Sequence, residues 1–260
     1  MEKNKKSKLS VVLATFNEEN NLTQCLESVK NLADEIVVVD GSSSDKTVEI
    51  AKKFGAKILV TDNPPIFHIN KQKAIDMATK DWILQLDADE SVTEKLKEEI
   101  ISIIDSGLAK GISGYWIPRK NWFLGRYLMK GGQYPDYTLR LYRKGKGRLP
   151  QKSVHEQAVV DGKCEYLKNP LLHYADPSFT RYLLRYNRYT NLIRDELKKE
   201  KTGYNPFIIL KNILILPFWW FFLTYFRHKG FMDSWQGFVF SFFSSLRFPV
   251  SYIKYIRQAF

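Results

Sequence analysis

The chain has 260 residues, 44% of them hydrophobic, and a formal net charge of +12 from 40 Lys and Arg against 28 Asp and Glu. That length and apolar content support one large α/β domain with an appendage and exclude a disordered chain, while the excess of positive charge calls for an anionic partner such as a nucleoside diphosphate, a nucleic acid or acidic lipid headgroups. Cys25 and Cys164 show no CxxC spacing and no neighbouring His cluster, which argues against a disulfide framework or structural zinc and fits a reducing compartment.

The basic start, Met1 to Lys8, resembles a signal-peptide leader. However, the apolar run Leu9 to Phe16 is short and leads into Asn17-Glu18-Glu19 instead of a small-residue cleavage site, so a first strand is expected there. Leu22, Cys25, Leu26 and Val29 recur at helical spacing after a polar turn. Ile36 to Val39 reads as a second strand ending in Asp40-Gly41. Ser44 or Asp45 then caps a helix to Phe54, and Gly55 stops it before the strand Lys57 to Val60. A helix from Asn70 to Ala78 precedes the strand Trp82 to Leu86. Ser91-x-x-Glu94 reads as a capping box for the helix carrying Leu96, Ile100 and Ile104.

Repeated β-α units with nearly all-apolar strands predict a parallel sheet buried on both faces. Ligands of such sheets bind beyond the carboxyl ends of the strands. Three polar clusters fall at those ends: Thr15 to Glu18, Asp40-Gly41-Ser42, and Asp87 to Glu90. They are expected to converge on one crevice. There is no GxGxxG after a strand and no GxxxxGK[ST], so the usual dinucleotide and P-loop signatures are missing. If the chain stays extended after Leu86, Asp87 and Asp89 point to the same side and offer hard oxygen donors to Mg²⁺ or Mn²⁺, which would neutralise a departing diphosphate. A turn leading into a capped helix accounts for the same two aspartates without a metal.

The ordered motifs VVLATFNEE, EIVVVDGSSSDKT, NKQKAIDMA and DWILQLDADE, spread over Leu9 to Glu90, resemble glycosyltransferase family 2, especially its lipopolysaccharide-core glucosyltransferase branch. The resemblance implies an α/β GT-A nucleotide-diphospho-sugar transferase fold with a mostly parallel Rossmann-like sheet. It also implies a nucleotide-sugar donor, a divalent metal held by Asp87 and Asp89, and inversion at the anomeric carbon. Carried over by position, Ala14, Thr15, Asn17 and Glu18 border the nucleoside and Asp40 bonds the base. Ser42 and Ala88 join the donor site. Lys71 or Lys73 faces the phosphates, although many relatives have an Arg-Asn pair where this chain has Lys71-Gln72.

From Gly114 to Leu172 the pattern changes to aromatic, strand-like pieces between Gly-rich turns, where acceptor recognition is expected; Trp116, Trp122 and Tyr134 either stack on sugar faces or fill the core. Inverting transfer needs a base for the acceptor hydroxyl. Glu156, next to His155, and Asp136 are the candidates, and the resemblance favours the His-Glu pair. Strand periodicity puts Asp136 and Arg140 on one face, as an ion pair or with Arg140 on the diphosphate. His155 orients Glu156, helps bind metal or phosphate, or is a satisfied pocket histidine. His173, beside an apolar strand, is read first as a buried structural residue and second as a donor-site residue.

After Pro177 the chain reads as helical. Phe179, Leu183, Tyr186, Ile193 and Leu197 form a stripe. Ile213 to Phe226 is strongly apolar but short of a spanning helix, broken by Lys211 and Asn212 and kinked at Pro217. Phe231, Trp235, Phe238, Phe242 and Leu246 share a further face. This basic aromatic tail is expected as a C-terminal helical membrane-associating region, lying on an anionic membrane surface or packed on the catalytic domain.

The expected organisation is a nucleotide-sugar-binding half over 1–110, an acceptor half over 111–176 and the tail over 177–260. The expected activity is metal-dependent transfer from a nucleotide-sugar donor, read as UDP-linked, to a lipid-linked or oligosaccharide acceptor at the cytoplasmic face of the membrane, with no nucleic acid involved. The alternatives are a sugar-phosphate nucleotidylyltransferase and a non-enzymatic basic protein that binds membrane or nucleic acid.

Overall fold

The computed structural model describes residues 7–105, 111–150 and 157–258. They form two compact units, one of residues up to Arg119 together with Asp136–His173, the other of Lys120–Pro135 with the residues from Tyr174 onward.

The first unit opens with β1 (Leu9–Thr15), α1 (Leu22–Val29), β2 (Glu35–Asp40), α2 (Thr47–Lys53), β3 (Lys57–Val60), α3 (His68–Met77) and β4 (Trp82–Leu86). As the apolar runs predict, β3, β2, β1 and β4 lie side by side and parallel. Alternate side chains enter opposite layers. Leu9, Val11 and Leu13 of β1 join Leu22, Leu26 and Val29 of α1 in one core, while Val12 joins Val37, Val39, Ala74 and Ile75 in the other. Gly55, at φ +69°, ends α2 in the left-handed conformation that favours glycine.

Beyond β4 come β5 (Glu90–Val92), α4 (Glu94–Asp105), β6 (Ile112–Phe123), β7 (Arg126–Tyr127), β8 (Asp136–Arg143), β9 (Gly147–Arg148), β10 (Val159–Val160), β11 (Lys163–Tyr166) and β12 (Leu171–Asp176). The strand order is β3-β2-β1-β4-β8-β6-β12-β5. β8 runs antiparallel to both β4 and β6, and β12 runs antiparallel to β5. The sheet is therefore parallel through β3, β2, β1 and β4 and mixed overall. Ser91 is not the cap of α4, because it lies within β5; Thr93 takes that place, its Oγ1 accepting the Leu96 N–H at 3.2 Å.

Glu35 locks the entry of β2. Its carboxylate accepts the Ser10 hydroxyl at 2.5 Å, the Thr79 N–H at 2.7 Å and the Thr79 hydroxyl at 2.9 Å, and it pairs with Lys57 at 2.5 Å. Burial pushes the carboxyl pKa up, but the Lys57 ammonium and these donors outweigh it and bring it down to about 2. A lowered pKa means that the stabilisation is complete above the unfolded carboxyl's value near 4.5 and is lost as pH falls towards 2. Urea unfolding across that acid range is expected to show this loss in the wild type and a flatter profile in Glu35→Gln; parallel profiles would show that Glu35 does not couple folding to pH.

In the second unit, α5 (Phe179–Lys199) starts at Ser178, whose hydroxyl accepts the Arg181 N–H at 3.2 Å. Its buried residues are Tyr182 and Thr190, while Phe179 and Leu183 are partly exposed, so the packed stripe is rotated from the one expected. Next come α6 (Pro206–Arg227) and α7 (Ser234–Ile256). Phe123 and Leu128 pack with Tyr182 and against Phe240 and Phe243 of α7, which accounts for the inclusion of residues 120–135 in this unit.

α6 corrects the expected break at Lys211 and Asn212. The helix continues by widening to π geometry over Lys211–Ile215, with the Leu216 N–H bonded to the Lys211 carbonyl. A wider turn just before Pro217 accommodates the ring and the missing donor that would strain a regular turn. The result is a helix of 22 residues, long and apolar enough to cross a membrane by length and composition, with only 11% of its apolar window buried.

Candidate functional site

The carboxyl ends of β1 and β2 are laced together by short polar side chains. Thr15 Oγ1 donates to Asp40 Oδ2 at 2.8 Å, and Asp40 also accepts the Ser43 N–H at 2.8 Å and the Ser43 hydroxyl at 2.7 Å. Asn17, in the left-handed region at φ 54°, donates its N–H to Ser43 Oγ at 2.8 Å and accepts the Ser44 N–H at 2.9 Å. The Glu18 N–H bonds Thr47 Oγ1 at 2.7 Å, and the Glu19 N–H bonds Asp45 Oδ2 at 3.0 Å. Asp45 thus ties the two loops in addition to accepting the Thr47 N–H near the start of α2.

Asp40 is wholly buried, its carboxylate spent on Thr15 and Ser43. Asn17, Glu19, Asn20, Ser42, Ser44 and Lys46 are the exposed polar residues of these loops, whereas Ala14 is half-buried in the sheet. Ser42 donates its hydroxyl to the Thr61 carbonyl at 2.8 Å, and Lys73 Nζ reaches Thr61 Oγ1 at 3.0 Å, so Lys73 belongs to the end of β3.

The third cluster does not stay extended. The Glu90 N–H bonds the Asp87 carbonyl at 3.0 Å, making a turn with the buried Ala88 inside it. This corrects the expectation that Asp87 and Asp89 share a side as strand neighbours. Asp87 pairs with Lys71 and, at 2.6 Å, with Arg140. Arg140 also donates to Glu90 at 2.8 Å; Arg119 donates to Glu90 at 3.2 Å and, through two nitrogens at 2.8 and 3.0 Å, to Asp136. Lys71, Arg140 and Arg119 therefore alternate with Asp87, Glu90 and Asp136 in one network. Asp136 pairs with Arg119, because β6 and β8 are antiparallel and place Arg119 opposite Asp136.

Burial works against the Asp87 charge, but Arg140 and Lys71 outweigh it and hold the carboxyl well below the usual range. Arg140, burial notwithstanding, is held more firmly protonated by Asp87 and Glu90. Asp89 points elsewhere: its Oδ2 is 3.6 Å from Nε2 of His173, which the pairing of β12 with β5 sets opposite Glu90. His173 is thus less a plain core histidine than a companion to Asp89.

Residues of the first and third clusters surround the buried Cys25, whose Sγ is 3.5 Å from the Asp87 carbonyl. Burial pushes its thiol pKa up, and the negative charges of Glu90, Asp89, Asp87 and Glu18 raise it further. That thiol is inert, and the four carboxylates acting on it belong to the first and third strand ends.

Asp87 is a poor cation ligand here, since two fixed cations already neutralise it. Asp89 and His173 supply one oxygen and one nitrogen donor. Among the described residues no group of three His, Cys, Asp or Glu is placed to hold a metal. A donor pair completed by substrate phosphates and water suits Mg²⁺ or Mn²⁺. His155 and Glu156 lie outside the described residues. Sequence reasoning left Glu90, Arg119 and Ser43 without a role; the only local hint was Glu90 directly after the Asp-Ala-Asp run.

Comparison with known proteins gives the family. The model of the family "Glycosyl transferase family 2" matches residues 10–159. An uncharacterised glycosyltransferase of Rickettsia typhi is 29% identical over 242 residues, covering 89% of this chain and 81% of the relative. The lipopolysaccharide core biosynthesis glycosyltransferase LpsC of Rhizobium meliloti is 28% identical over 253 residues, covering 92% and 91%. The crystal structure of S. aureus TarS 1–349 aligns with a TM-score of 0.47 at 17% identity, over 96% of this chain and 88% of that one. With a matched segment that runs from β1 through the whole ion network, the chain belongs to glycosyl transferase family 2 and is a glycosyltransferase of GT-A fold.

Proposed function

We propose that the protein moves a sugar, with inversion, from a nucleoside-diphosphate donor, read as UDP-linked, onto a lipid-linked glycan during cell-envelope polysaccharide or lipopolysaccharide synthesis. The observation that carries the reading is the separation of roles at the end of β4: Asp87 is neutralised by Lys71 and Arg140, while Asp89 stands with His173. Asp89 and His173 would hold Mg²⁺ or Mn²⁺, which when bound neutralises charge gathering on the departing diphosphate. Asn17, Glu18 and Ser42 border the nucleoside, and Lys71 and Arg140 add positive potential on the phosphate side.

Glu156 takes the proton of the acceptor hydroxyl as that oxygen bonds to the anomeric carbon and the bond to the diphosphate breaks on the opposite face. Asp136 is the weaker candidate, because one of its oxygens is already engaged by two nitrogens of Arg119. His155 orients Glu156. The lipid-linked acceptor is supported by the exposed apolar helices of the second unit and by the name of the Rhizobium relative. The same features favour a peripheral place on the cytoplasmic face of the membrane, with the apolar helix of Pro206–Arg227 as its contact.

Calorimetric titration with UDP is expected to show binding that strengthens at least about tenfold with Mn²⁺ and loses that gain in His173→Ala, the range seen when support for a metal site is removed. Equal affinity with and without divalent cation would remove Asp89 and His173 from the donor site.

A further inference from the structure

The second unit contains a cleft of about 570 Å³ whose lining includes Lys120, Arg126, Tyr127, Trp235 and Gln236. We infer that this cleft binds the phosphate-bearing headgroup of a membrane lipid, and that it is where the lipid-linked acceptor of the proposed reaction is held. The inference rests on that reading of the acceptor.

The chemistry of the lining is that of a phosphorylated amphiphile. Lys120 lies over the Tyr134 ring at 5.7 Å, and no carboxylate pairs with it among the described residues. Arg126 is 3.5 Å from one oxygen of Asp233, whose other oxygen accepts the Met129 N–H at 2.9 Å and the Lys130 N–H at 2.7 Å and so fixes the loop. Lys120 and Arg126 together exceed that carboxylate by one positive charge at the opening. Gln236, nine-tenths buried in the same lining, donates its Nε2 to the Leu124 carbonyl at 3.1 Å and leaves Oε1 without a partner among the described residues.

The surroundings specify a lipid. Trp235 both lines the cleft and is 56% exposed, and it is flanked by the exposed Phe231, Met232 and Phe238 of the same unit. An indole between cations and an apolar surface is the arrangement found at headgroup depth. Basic side chains on long stems beside such a surface meet phosphates while their stems stay in the apolar layer.

The test is co-sedimentation of the full chain with phosphatidylcholine vesicles, plain or doped with phosphatidic acid or, at equal surface charge, phosphatidylserine. The wild type is expected to prefer phosphatidic acid, since a phosphate monoester fits paired cations better than a headgroup that also carries an ammonium. Lys120→Gln with Arg126→Gln is expected to bind phosphatidic acid vesicles roughly 30-fold more weakly, and Lys120→Gln alone, which breaks no ion pair, roughly 5-fold. Binding by both variants equal to wild type overturns the inference, as does calorimetric binding of inorganic phosphate as tight as binding to the vesicles, which would mark a soluble ligand. UDP titration of the same variants separates the two readings: normal UDP affinity with lost lipid preference supports the cleft, whereas wild-type protein that binds UDP but no vesicle rejects the lipid-linked acceptor itself.

Discussion

Asp89→Asn is expected to lower metal-dependent sugar transfer by about 10²–10³-fold, the usual cost of removing one group that stabilises charge building in a transition state. The melting temperature is expected to stay close to that of the wild type, because Asp89 lies outside the network of Lys71, Asp87, Arg140, Glu90, Arg119 and Asp136 and remains partly exposed. Asp87→Asn is the contrasting variant. It leaves Lys71 and Arg140 with less negative charge beside them and is expected to lower both stability and turnover. Release of nucleotide from the sugar donor with Mn²⁺, followed beside thermal unfolding, tells the two apart. Undiminished turnover in Asp89→Asn would end its assignment as the cation ligand.

The second large effect is structural. Arg140→Met removes the guanidinium that bridges Asp87 and Glu90, leaving Glu90, which is wholly buried, with Arg119 as its remaining cation. Breaking a buried pair by removing one partner costs about 3–5 kcal/mol, so the urea midpoint is expected to fall clearly. Arg140→Lys is expected to recover only part of the loss, since an ammonium is a point charge without the fork.

The acid limb of the stability profile should move as well. Asp87 is held well below its ordinary pKa by Arg140 and Lys71, so its stabilisation is present at pH values above the unfolded carboxyl's pKa and disappears as pH falls through the folded value. Without Arg140 the folded value rises, and loss of stability begins at a higher pH. A urea midpoint and acid profile equal to the wild type would show that the network does not contribute to folding.

The nucleotide half was readable residue by residue because parallel strands buried on both faces need continuous apolar runs, and such runs stand out between polar turns. Trp82–Leu86, buried throughout, has the same ends in the sequence pattern and in the structure, and so has Lys57–Val60, although it is the exposed edge strand. The placing of Asp40 and of Asp87 to Glu90 at strand ends was legible for the same reason. Their partners were not. Arg140 is separated from Asp87 by 53 residues, and which cation reaches which carboxylate depends on the antiparallel register of β8 against β4 and β6.

The tail shows the same division in apolar form. Its composition pointed to aromatic helices lying on a membrane or packed on the domain, but Lys211 and Asn212 looked like a break, because a linear pattern does not show that a π turn can carry the helix onward. By itself the sequence determined the β-α order, the location of the acidic strand ends and the basic aromatic character of the C-terminal segment, all of which follow from local periodicity and charge. Only the tertiary structure decided that Asp87 is neutralised by Lys71 and Arg140 while Asp89 stands with His173, because those pairings form across strands whose register no local pattern encodes.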